Sequence, residues 1–174
     1  MGNGGLVVYL KIWEQGFEFI EESLTETSLG VEDATAIMDN VADDMMTDIY
    51  QLFQSQGRRG GGSWAPLSEK YQIAKLEAGY DVRILFRKHD LVRAATVRGA
   101  PDQTLEVDES SVYLTVDLDY AEYHMTGTGR MPARPWIKFT ESDKRHWAQM
   151  IADQMIAPMK RRRYSTFSIF ETPL

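Results

Sequence analysis

Residues 33–56 read DATAIMDNVADDMMTDIYQLFQSQ. Ile37, Met38, Val41, Met45, Ile49, Leu52 and Phe53 recur at intervals of three and four, and Asp39, Asp43, Asp44 and Asp48 fall between them. An α-helix turns once every 3.6 residues, so this spacing gathers the apolar side chains on one face and the carboxylates on the other. The stretch predicts a long helix with one face in a core and one strongly acidic face, and Asp33 is placed to cap its start. Its methionines read as flexible core filling rather than as metal ligands.

Working outward toward the N-terminus, Gly30 separates this helix from a shorter amphipathic one over residues 17–26, carried by Phe17, Ile20 and Leu24. Before Gly16, the residues Leu6, Val8, Leu10 and Ile12 alternate with Val7, Tyr9, Lys11 and Trp13, the period of a β-strand. Toward the C-terminus comes QGRRGGG at 56–62, read as a mobile loop that cannot pack. No Lys-Ser or Lys-Thr follows those glycines, which excludes a phosphate-binding P-loop. A helix over 68–78 stopped by Gly79, a helical turn over 90–95, a hairpin of 105–107 with 112–116 and a short turn at 120–124 follow. The loop 127–135 leads to a last strand at 136–139, and Thr140 with Asp143 forms a capping-box variant that opens a final helix. Trp147, Met150, Ile151 and Met155 give that helix its apolar face. The fold expected is therefore α+β, an antiparallel sheet of about four strands packed by two long and several short helices. Residues 1–158 form a single domain, and residues 159–174 an extended C-terminal arm.

Composition narrows the function. A chain of 174 residues with 43% hydrophobic and 26% charged residues supports one packed domain. With no cysteine there are no disulfides, thiolate metal sites or cysteine nucleophiles, and synthesis in a reducing cytoplasm is expected. No apolar run approaches the ~18 residues of a membrane helix, so no membrane partner is expected. Residues 1–56 hold eleven acids and one base, Lys11, for a net charge of −10, whereas residues 57–174 hold eighteen bases and fifteen acids, for +3. The acidic half is either a solvated helix face or a functional field.

No catalytic constellation emerges. His89, His124 and His146 form neither an H-x₃-H nor an H-E-x-x-H pair, Ser63, Ser68 and Ser110 fit caps and turns, and no G-x-S-x-G occurs. No enzyme activity, cofactor or metal is expected.

Two segments carry a family resemblance. The first runs from Phe53 through the glycine-arginine loop and Trp64-Ala65-Pro66-Leu67 to Lys75, followed by Ile84-Leu85-Phe86, Leu91 and Ala95. The second is Tyr120-Ala121-Glu122-Tyr123-His124, then Gly127-Thr128-Gly129-Arg130-Met131-Pro132-Ala133-Arg134-Pro135-Trp136. Together they resemble the phage virion morphogenesis family of tail-completion proteins, close to the wider set of tail terminator and head–tail joining proteins. His89-Asp90 departs from the family pattern, which often has threonine-glycine there.

The resemblance implies a tail-terminator-like fold and a structural virion protein at the head–tail neck. In this reading identical subunits close into a ring, a homohexamer that caps the tail tube protein and offers a docking face to the head–tail connector or stopper protein. Genomic DNA passes through the lumen without specific binding. The resemblance favours a subunit contact over a merely rigid turn for the loop of Arg130, Met131 and Arg134, joined in the interface by Trp136 and Trp64. Asp39, Asp43, Asp44 and Asp48 are expected to line the lumen or meet a basic neighbour. Lys160, Arg161, Arg162, Arg163, Tyr164, Phe167 and Phe170 are expected to form a partner-binding arm. The alternative is a nucleic-acid-binding accessory protein using Arg58, Arg59 and the cluster Lys160, Arg161, Arg162 and Arg163.

Overall fold

The computed structural model describes residues 6–109 and 111–165 apart from 12–33, with the backbone alone for 6–11 and 155–165. The order of elements is β1 (Leu6–Lys11), α1 (Ala34–Gln54), a 3₁₀ turn (Arg58–Gly60), α2 (Glu69–Glu77), α3 (Asp90–Thr96), β2 (Gln103–Val107), β3 (Ser111–Val116), α4 (Ala121–Thr126) and α5 (Glu141–Ser165). The expected helix 17–26 and the Asp33 cap lie outside the described residues.

The sheet has three antiparallel strands in the order β1-β3-β2. β1 pairs with β3 from Leu6 opposite Val116 to Lys11 opposite Ser111, and β2 pairs from Gln103 opposite Val116 to Val107 opposite Val112. As the central strand, β3 buries Val112, Leu114 and Val116, while Tyr113 and Thr115 on its other face are half-buried. α1 lies against this sheet and also touches α3 and α5. Its apolar stripe behaves as its periodicity requires: Met38, Val41, Met45, Ile49, Leu52 and Phe53 are all buried. Leu91, Ala94 and Ala95 of α3, Trp147 and Ile151 of α5, and Trp136 complete one core.

Three expectations need correction. Residues 136–139 are not a strand; among the described residues the sheet stops at three. Pro135 supplies no amide donor there, and the segment is held by side chains instead. The Trp136 indole is fully buried and donates to the Ala121 carbonyl at 3.0 Å, while Phe139 packs edge-on against Trp147 with ring centroids 4.8 Å apart. The glycine-arginine loop, in turn, is packed against the fold at two of its glycines. Gly57 sits at φ 87° with its Cα against Trp64, where a Cβ would come within 2.6 Å of the indole. Gly60 is buried. At the other end, α5 runs on to Ser165, so residues 159–165, which sequence places in an extended arm, are its last turns. Thr140 and Asp143 do form the capping box: the Thr140 amide donates to Asp143 at 2.7 Å, and the Asp143 amide donates to the Thr140 hydroxyl at 3.3 Å.

Candidate functional site

The acidic face of α1 is not a wall of free carboxylates. Arg98 reaches back from beyond α3 and bridges Asp39 at 3.0 Å and Asp43 at 2.8 Å. His146 of α5 lies 3.0 Å from Asp44. Arg59, from the glycine loop, donates to Asp48 at 2.5 Å and grips Asp143 of α5 through two nitrogens at 2.8 and 3.0 Å. One guanidinium thus ties the loop to both long helices, a use suited to its planar fork of donors. Burial lifts the Asp48 carboxyl to about 6; Arg59 opposes that rise, and the Asp143 and Asp44 carboxylates add to it. Burial pushes Asp143 upward too, but the Thr140 amide and Arg59 outweigh it and hold Asp143 below the usual carboxylate range. Arg59 is thereby committed inside the fold, which removes it from the nucleic-acid reading, while Arg58 remains exposed.

The loop after α4 does not project both of its arginines. Gly127 turns at φ 76°, and a Cβ there would stand 2.7 Å from the Ala133 amide nitrogen, so the two sides of the loop touch. Thr128 and Met131 close it with an antiparallel bridge. Arg134 then points inward: it is 5% exposed, its Nε donates to the Ala65 carbonyl at 2.9 Å and its Nη2 to the Pro66 carbonyl at 3.0 Å. Its own amide donates to the His124 carbonyl at 2.6 Å. The Trp64 indole donates back to the Pro135 carbonyl at 2.9 Å. The two motif segments are therefore laced together within the chain. Arg134, Trp136 and Trp64, expected at a subunit interface, are internal parts of the fold; Arg130 is exposed and Met131 half-buried. Of the expected arm, Lys160 to Tyr164 fall on the last turns of α5, and Phe167 and Phe170 lie outside the described residues.

Between this loop, α2 and the segment 84–91 lies a groove of about 830 Å³. Its walls are apolar, from Leu67, Tyr71, Ile84, Leu85, Leu91 and Met131, and cations surround them: Arg87, Lys88 and Arg130 are exposed, with Lys75 and Arg134 deeper. Asp90 is the one carboxylate in the lining. Lys75 donates to the Arg83 carbonyl at 2.8 Å, and burial lowers its pKa. Burial also lowers the pKa of His124, with Arg134 adding to the effect. Segment 84–91 holds two non-glycine residues in the left-handed region, Leu85 at φ 66° and His89 at φ 67°, a conformation that side chains ordinarily avoid.

Helix α2, which forms one side of the groove, is inside out. Ser68 caps it by accepting from the Tyr71 amide, yet its single buried residue is Lys75. Tyr71, Ile73 and Leu76 are 43%, 50% and 68% exposed. Sequence reading found this helix but not its surface role. The available signal was Ile73 and Leu76, three residues apart on one side of the helix and turned from the buried Lys75, whereas Tyr71, four residues before Lys75, shares its side.

Among the described residues no three carboxylate or imidazole groups converge as a metal site, and no helix is long and apolar enough to cross a membrane. The fold and the groove define a small α+β domain with a cation-rimmed apolar groove on its surface. The chain belongs to the phage virion morphogenesis family, whose pattern it matches over residues 16–157. No curated protein and no solved structure gives a match. Membership makes this a bacteriophage protein of virion assembly.

Proposed function

We propose that the chain is a structural subunit of the head–tail neck, without catalytic chemistry. Identical copies close into a ring, a hexamer, that caps the tail tube and joins it to the head connector or stopper. A closed ring is the arrangement in which each copy's unfinished surface meets a neighbour. The observation that carries this reading is helix α2. A helix that buries a lysine and exposes a tyrosine, an isoleucine and a leucine is completed only by a second surface, and virion morphogenesis supplies such surfaces. The interlocked motif segments support it by giving that surface a rigid base. Phage DNA passes through the ring unread.

A nonsense mutation of the gene in its phage tests the reading. Filled heads and free tails should accumulate unjoined, and purified protein added to the lysate should join them. Normal yields of joined particles would overturn it.

A further inference from the structure

Resting on that assembly reading, we propose that the groove between α2 and residues 130–134 holds the acidic, aromatic segment 14–26 of a neighbouring copy.

The occupant is identified by charge. The groove lining carries Lys75, Arg87, Lys88, Arg130 and Arg134 against Asp90 alone. The chain as a whole is acidic, but the α1 carboxylates Asp39, Asp43, Asp44 and Asp48 already have partners in Arg98, His146 and Arg59. The remaining acids of the first third lie in residues 12–33, which hold seven, Glu14, Glu18, Glu21, Glu22, Glu26, Glu32 and Asp33, and no lysine or arginine. Interleaved with the first five are Phe17, Phe19, Ile20 and Leu24. Carboxylates for the exposed cations and aromatic and aliphatic groups for the apolar walls therefore occur in one short stretch.

Geometry favours a neighbour's segment over the chain's own. The stretch 12–33 departs from Lys11, which pairs with Ser111 at the start of β3, and returns at Ala34, where α1 begins. The groove is at the opposite end of both elements. Gln56, just past α1, accepts from the Ile84 amide at 2.8 Å, and Tyr120 follows the far end of β3. α1 has 21 residues, about 30 Å at ~1.5 Å per residue. Twenty-two connecting residues span at most about 75 Å when fully extended. A journey of about 30 Å out and 30 Å back leaves almost nothing to lie in the groove, whereas a neighbour's segment has no return to make.

The test uses the full-length chain and a fluorescein-labelled synthetic peptide of residues 12–33, followed by anisotropy. Binding should be saturable and should weaken at least tenfold in the triple variant Arg87→Glu, Lys88→Glu, Arg130→Glu, all three being exposed positions that leave the core untouched. A peptide of the same composition in scrambled order should bind at least tenfold more weakly. Equal binding of the scrambled peptide, or no dependence on the three cations, overturns the proposal. Loss of duplex-DNA binding in the variant with no effect on the peptide would make the groove a nucleic-acid site and overturns it equally. Zero-length carbodiimide coupling in a mixture of ¹⁴N and ¹⁵N protein then separates sources. Lys88 should join Glu18, Glu21 or Glu22 of a differently labelled copy, and same-label links alone would assign the segment to its own chain and defeat the proposal. Peptide binding without rings would leave the docking intact and sink the ring; rings without peptide binding would do the reverse.

Discussion

Arg134 brings a full charge to a place where, among the described residues, backbone carbonyls receive it, those of Ala65 and Pro66. Hydrogen bonds from a charged donor are worth roughly 1.5–3 kcal/mol each, and the freed carbonyls would lose their partner. Arg134→Met should therefore cost about 2–4 kcal/mol in urea unfolding of the isolated protein. Arg130→Ala, a few residues away but exposed, should stay within about 0.5 kcal/mol. Equal, small losses would mean that Arg134 is free after all. Asp48 presents the opposite balance, because burial outweighs its arginine. Lifted from 3.8 to about 6, it binds a proton in the folded chain across a window in which the unfolded chain has released it. That proton stabilises the fold at low pH, and its contribution is lost as pH rises through about 6. Asp48→Asn has no such titration. Relative to that variant, the native protein should gain on the order of 2 kcal/mol between about pH 7.5 and about pH 4.5. Asp143 shifts in the other direction and is present in both proteins, so most of its own titration cancels in the difference. A pH-independent gap between the two unfolding curves would contradict the assignment.

At the scale of elements, what could be read from sequence divides by how local the cause is. α1 was legible because more than twenty residues keep one helical period, and the β2–β3 hairpin because alternation and a turn-rich link lie side by side. The capping box at Thr140 and Asp143 is three residues wide and was read correctly. The strand expected at 136–139 fails because pairing needs an edge, and position along the chain does not tell whether one is available. The glycine loop looked mobile because the partners that fix Arg59 are 11 and 84 residues away. Arg134 looked exposed for the same reason, its acceptors being 69 and 68 residues distant. The loop after α4 offers a direct check. Gly127→Ala adds a Cβ at positive φ and 2.7 Å from a backbone nitrogen, a contact that no rotamer relieves. It should destabilise by about 1–3 kcal/mol and lower the thermal midpoint. Helix α2 should respond in reverse. Ile73→Ser with Leu76→Ser removes exposed apolar groups, so monomer stability should hold within about 0.5 kcal/mol per site while self-association weakens, as sedimentation velocity would record. A large loss of monomer stability would show that α2 is packed on its own chain.

On the scale of the whole molecule, the chain separates a settled interior from an unsettled surface. Its acidic helix is tied down by Arg98, Arg59 and His146, and its two motif segments are laced through Arg134 and Trp64. What remains open is the face carrying α2 and the cation-rimmed groove, and the proposal places neighbouring subunits there. The central claim, a proposal, is that identical copies form a closed ring at the neck. Native mass spectrometry of neck assemblies released from purified virions tests it most directly. The account predicts one dominant species of six copies that survives mild activation as a closed ring. Recovery of the chain from virions only as a monomer, or its absence from them, would contradict it.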